Sequence, residues 1–246
     1  MTRGEGYVPV SVFCDIDGTL VDTTYMHTYA WWRALDDAYQ QVPMARIHPF
    51  VGMGSSELLT SLLGGDDPAI TRAHGRYFAA FHDFIRPLPG ASEFIRRLAA
   101  EGARVVIVTS AKERDLPALL RPLACDDVIA GIVHGEMAGR SKPAPDLFSI
   151  ALERSGSEPD RSLALGDAVW DVEAATKAGI ACVAVESGGT AAARLKEAGA
   201  LAIYPGCSEI LESFATTPIA AVLGGEEASG QTAGAQKGQT QERLVS

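Results

Sequence analysis

Six short, nearly uninterrupted apolar runs punctuate this chain, at residues 10–14, 104–108, 128–133, 162–165, 181–185 and 201–203. Most of the intervals between them carry apolar residues at helical spacing. Runs of this length, rich in Val and Ile, read as strands. A strand apolar on both faces must be covered on both, which a parallel sheet with helical crossovers provides and a half-solvated hairpin sheet does not. The pattern predicts an α/β fold with right-handed crossovers. Its helices are expected at 91–101, 113–123, 145–155, 171–178, 191–198 and 208–215.

One interval breaks this rhythm. Apolar and aromatic residues recur at helical spacing over 25–41, again from Ser55 through Leu63, and over 69–85, so the whole block reads as helical. Asp66-Asp67-Pro68 supplies a start signal for its third helix, and Pro87-Leu88-Pro89-Gly90 closes it as a rigid link. The expected organisation is an α/β core from residues 8–22 and 88–218, with an all-helical domain of residues 23–87 inserted after the first strand. Residues 224–246 shift to Gly, Glu, Gln, Ser, Thr and Ala, which predicts a disordered tail without chemistry.

A chain of 246 residues that is 47% hydrophobic can bury a sizeable core. Its formal net charge of −10 argues against a nucleic-acid or anionic-membrane surface. Cys14, Cys125, Cys182 and Cys207 are widely spread, which predicts buried, reduced thiols in a cytoplasmic protein. Residues 1–7 do not read as a secretory signal, and no apolar run approaches the roughly 20 residues of a membrane span.

The ends of the strands carry the chemistry. The first run stops at Asp15, with Asp17 two residues on and Gly18 directly after. That pair suits either a ligand site at the carboxyl edge of an open sheet or a solvated turn. The second run ends in Thr109 and Ser110, whose hydroxyls and backbone N–H groups can hold an anion, although a threonine at a strand end commonly just satisfies local backbone. Lys142 stands beside a proline in Ser141-Lys142-Pro143. The fourth run leads into Asp167, with Asp171 one helical turn on, and an aspartate there is also a routine helix cap. Taken together, several carboxylates without His or Cys companions suit a hard, oxygen-preferring ion such as Mg²⁺. A lysine and a hydroxyl suit a phosphate, and an aspartate beside a phosphate can form an acyl phosphate.

These segments resemble the haloacid dehalogenase-like hydrolase superfamily, in its phosphatase branch with a helical cap after the first strand. The motifs that carry the likeness are Asp15-Ile16-Asp17-Gly18-Thr19-Leu20-Val21-Asp22, then Thr109, then Ser141-Lys142-Pro143-Ala144-Pro145-Asp146, then Gly166-Asp167-Ala168-Val169-Trp170-Asp171. The likeness spans roughly residues 10–215 and implies a Rossmann-like core. It implies Asp15 as nucleophile, giving an aspartyl-phosphate, and Asp17 as the general acid and then base. Mg²⁺ would be held by the Asp15 carboxylate, the Asp17 backbone carbonyl and Asp167, with Asp171 in support. Thr109, Ser110, Lys142 and the backbone around Gly18 would hold the phosphoryl oxygens. The second aspartate of the first motif sets the chain apart from the dehalogenases.

The resemblance also implies that the helical block closes over the site. His27 lies where many capped relatives have a histidine, serving either the site or only the hinge. The loop Gly52-Met53-Gly54-Ser55 resembles the family's specificity loop and lacks the arginine that β-phosphoglucomutases use there. Met53 is the expected apolar substrate contact, His74 and Arg76 are candidate charges with surface exposure as their commoner fate, and Trp31, Trp32, Phe78 and Phe81 are expected mainly in the core of the cap. The implied activity is Mg²⁺-dependent hydrolysis of a small phosphorylated metabolite by a monomer or homodimer. A phosphoglucomutase-like phosphotransferase and a non-catalytic phosphometabolite-binding protein are the alternatives.

Overall fold

The computed structural model describes residues 10–225. The tail expected over 224–246 therefore lies outside the described residues except for Gly224 and Gly225, which form a turn.

The strands are β1 (Ser11–Cys14), β2 (Arg104–Val108), β3 (Ile129–Val133), β4 (Ser162–Gly166), β5 (Ala181–Val185) and β6 (Ala202–Tyr204). They form one sheet in the order β3-β2-β1-β4-β5-β6, and every pairing is parallel. The order reverses at β1, the point where open α/β sheets leave a crevice at their carboxyl edge.

Four α-helices fall within residues 23–87, after β1: α1 (Thr24–Asp37), α2 (Met44–Ile47), α3 (Ser55–Leu63) and α4 (Pro68–Ala79). They share an apolar cluster built on Trp31, Leu35, Ile47, Leu58, Leu59 and Ile70. Asp67 caps α4 by accepting from Ala69 N at 2.7 Å and Ile70 N at 3.4 Å, with Pro68 at a first-turn position that needs no donor.

The rest of the chain adds α5 (Ala91–Ala100), α6 (Leu116–Leu120), α7 (Asp146–Ser155), α8 (Val169–Lys177), α9 (Ala192–Glu197), α10 (Cys207–Glu212) and α11 (Pro218–Leu223). Alternation along the strands feeds two apolar layers. Val12, Cys14, Val105 and Ile107 share a cluster with Phe94, Leu98, Ile210 and Ile219. Phe13, Val106 and Val108 share the other with Leu147, Phe148 and Val172. The four cysteines are buried and free, and no described helix is long and apolar enough to cross a membrane.

Several elements differ from the sequence reading. α1 stops at Asp37, short of residue 41, and Tyr39 takes a left-handed φ of 59°. The segment 69–85 is helical only to Ala79, with a separate 3-10 turn at His82–Phe84. The segment 113–123 breaks into two 3-10 turns around α6, because Pro117 and Pro122 have no N–H for a continuous ladder. α2 and α11 were not expected. Four-residue and six-residue helices contain too little sequence for periodicity to register.

Candidate active site

β1 ends at Cys14, but pairing continues for one more residue, since Asp15 N donates to Leu165 O at 2.9 Å. The chain then folds back on itself: Gly18 N donates to Val21 O at 2.8 Å and Leu20 N to Ile16 O at 2.9 Å. Gly18 makes this turn at φ +82°, and a Cβ there would overlap Thr24 Oγ1 and Asp167 Oδ2, so glycine is required both by conformation and by space. Asp15 and Asp17 consequently border the same cavity, together with His27, Thr109 and Ser110. The cavity measures about 60 Å³.

Lys142 is fully buried behind Asp15. Its Nζ lies 2.6 Å from Asp15 Oδ1 and 2.7 Å from Asp171 Oδ1, and it donates to Val108 O at 2.8 Å. Asp171 Oδ2 accepts from Ala168 N at 3.0 Å, which locks that carboxylate at the start of α8. Thr19 Oγ1 donates to Asp167 Oδ1 at 2.9 Å. Burial pushes the Asp15 carboxyl up to about 7, against the pull of Lys142 and with the help of Asp171 and Asp17. Burial likewise raises Asp167 well above the usual carboxylate range, reinforced by Asp171 and Asp15. For Lys142, burial works against the charge, but Asp15 and Asp171 prevail and hold the ammonium protonated.

Carboxylate oxygens of Asp15, Asp167 and Asp171, all buried, lie within 4.8 Å of one another. Three buried carboxylates, two of them paired to one ammonium, form an oxygen-only donor set that fits a hard divalent cation. The Asp17 side chain is turned elsewhere. Its Oδ1 accepts from Thr23 Oγ1 at 2.6 Å and from His27 Nε2 at 3.1 Å. Burial alone would raise the Asp17 carboxyl, yet His27 and Thr23 hold it below its ordinary value.

His27 Nδ1 pairs with His74 Nε2 at 3.1 Å. Its ring stacks on Phe78 with centroids 3.8 Å apart, while His74 stacks on Trp31 at 4.0 Å. Trp31 and Phe78 are thus both core residues and cavity walls, and Met53 borders the cavity beside them. Arg76 is exposed, whereas His74 faces the cavity.

The inserted helices are tied to the sheet edge through polar contacts. Ser110 Oγ donates to Gly52 O at 2.9 Å and accepts from Ser141 Oγ at 2.9 Å. Ser141 N donates to Glu57 Oε1, and Trp170 Nε1 to Pro49 O, each at 2.9 Å. Thr23, Lys112 and Arg114 escaped assignment to the site in the sequence reading, where His74 figured only as a candidate charge. Only a contact map joins them to Asp17 and its cavity.

A doubly wound α/β sheet with paired aspartates, a buried lysine and a third aspartate at its switch point defines a hydrolase-type site. The family model for haloacid dehalogenase-like hydrolases matches residues 11–179, and the chain belongs to that family. It is 31% identical over 213 residues to a phosphoglycolate phosphatase of Rhodospirillum rubrum, covering 80% of this chain and 87% of that protein. A phosphoglycolate phosphatase of Pseudomonas syringae pv. syringae is 28% identical over 194 residues, covering 74% and 71%. The crystal structure of a hydrolase from Pseudomonas syringae superposes with a TM-score of 0.79 at 33% identity, covering 83% of this chain and 97% of that one.

Proposed function

We propose that this enzyme is a Mg²⁺-dependent phosphomonoesterase acting on a small phosphorylated metabolite of the phosphoglycolate or sugar-phosphate kind. The observation that carries the reading is the placement of Asp15 and Asp17 on one cavity with Lys142 Nζ 2.6 Å from Asp15. The names of the relatives, phosphoglycolate phosphatases, favour the smaller substrate.

Asp15 attacks phosphorus, the bond from phosphorus to the ester oxygen breaks, and the leaving oxygen takes a proton from Asp17. Water then attacks the aspartyl-phosphate and gives its proton to Asp17, and the bond from phosphorus to Asp15 breaks to release inorganic phosphate. The low proton affinity of Asp17 in the free protein suits the second half of this cycle. The negative charge of a bound phosphoryl group raises it for the first half. Lys142 offsets part of the rise that burial imposes on Asp15 and aims its carboxylate, and Asp171 keeps Lys142 in place. Thr109 and Ser110, which line the cavity, would hold the phosphoryl oxygens, and the helices of residues 23–87 serve as a cap that excludes water.

Asp15, Asp167 and the Asp17 backbone would hold Mg²⁺, with Asp171 in support. Bound there, the ion neutralises phosphoryl charge and relieves repulsion among the carboxylates. A panel of phosphate esters scored for free phosphate, with and without Mg²⁺, tests the reading. Isomerised product without phosphate release would show a phosphotransferase instead.

A further inference from the structure

Two cations, Lys112 and Arg114, line the cavity together with Asp15, Asp17 and Asp115, and the second of them sits in a space left by a glycine. Arg114 lies in the 3-10 turn Glu113–Asp115, shortly after Thr109, and borders the same cavity as Asp15 and Asp17. Its guanidinium rests against Gly75 of α4. A Cβ on Gly75 would overlap Arg114 Nη2, and the three heavy atoms nearest to such a Cβ all belong to the Arg114 guanidinium. Gly75 is helical and carries no left-handed φ, so α4 does not need glycine there for its own geometry. In a helix interior glycine costs about 1 kcal/mol relative to alanine, and what the position gains is room for this side chain.

The guanidinium is weakly engaged within the protein. Its ion pair with Asp115 is long, 3.7 Å from Nε, and Asp115 is shared with His82 at 3.5 Å. The Arg114 side chain is 55% exposed. Lys112 borders the cavity as well, and after burial and His27, the charges of Lys112 and Arg114 help to hold His74 in its neutral form. The phosphoryl end of the site has its own cation in Lys142, which is already committed to Asp15 and Asp171. Arg114 is therefore surplus to phosphoryl transfer, and it carries the planar fork that matches a carboxylate.

We propose that Arg114 is a specificity-determining residue that binds a carboxylate on the leaving group, in the space that Gly75 leaves open on the cap. The substrate class is then a short phosphate ester bearing a carboxylate. The inference rests on the phosphatase reading and deepens it.

The test is the ratio of kcat/KM for 2-phosphoglycolate to kcat/KM for 2-hydroxyethyl phosphate, which has the same length without the carboxylate. The wild type should favour phosphoglycolate. Arg114→Gln should lower the ratio about 10- to 100-fold, the worth of a charge-assisted hydrogen bond. Gly75→Ala, which favours the helix and keeps the arginine, should lower it about fivefold or more by displacing the guanidinium. A ratio unchanged in Arg114→Gln, or an equal loss on both esters, overturns the assignment of Arg114. A ratio unchanged in Gly75→Ala alone overturns the part given to Gly75. Hydrolysis of neither ester nor of an aryl phosphate by the wild type overturns the phosphatase reading itself.

Discussion

Lys142 Nζ lies 2.6 Å from Asp15 Oδ1, with side-chain exposures of 0% and 5%. A buried pair of this kind is stable only as a pair, because removing one partner strands the other charge away from water. Here the lysine also serves Asp171 at 2.7 Å. Lys142→Met should therefore destabilise the protein by about 3–5 kcal/mol, read as a shift in denaturant midpoint. Restoring much of that loss with Mg²⁺ would show that the cation takes over part of the lysine's charge balance.

His27 reaches Asp17 from α1 and Phe78 supports its ring from α4. His27→Ala should lower kcat about 10- to 100-fold on alkyl phosphates, whose leaving oxygen needs the proton that Asp17 supplies. On an aryl phosphate with a good leaving group the loss should be much smaller. Equal losses on the two esters would mean that His27 does not act through the proton step.

His74 gives a signature in stability against pH. Burial, followed by the charges of His27, Lys112 and Arg114, lowers its proton affinity well below the ordinary value of 6.5. Above pH 6.5 the ring is neutral in folded and unfolded chains and contributes nothing to pH dependence. Below 6.5 the unfolded chain takes up a proton that the folded one refuses, so stability falls as pH falls, by up to roughly 1.4 kcal/mol per pH unit. His74→Gln should flatten that acid limb, as measured by urea unfolding at pH 7, 6 and 5.

Gly188 approaches Asp167 so closely that a Cβ would overlap Asp167 Oδ2. Gly188→Ala should displace this carboxylate and raise the Mg²⁺ concentration for half-maximal activity about tenfold or more. Calorimetric titration of the metal provides a readout independent of turnover.

The parts of the site visible in the sequence are those that a strand end delivers directly. Asp15, Thr109 and Asp167 each follow an apolar run, so a parallel sheet alone brings them to one edge. Lys142 was recognisable through its motif, but not its commitment to two carboxylates and a carbonyl. His74 was seen only as a candidate charge, because its contact with His27 spans 47 residues and depends on how α1 packs on α4. Arg114 was invisible for a different reason. Its place is defined by a side chain that Gly75 lacks, and an absent side chain leaves no periodic signal. In the fold, the strands were legible to within a residue or two, whereas α2, α11 and the proline-broken segment around α6 were decided by local geometry below the length that patterning resolves.

The most direct test of the account is inorganic phosphate release from 2-phosphoglycolate, with Mg²⁺, by the wild type and by Asp15→Asn at equal concentration. The account predicts Mg²⁺-dependent release by the wild type and a loss of roughly a thousandfold or more in a variant that remains folded. Release by Asp15→Asn at the wild-type rate would contradict it.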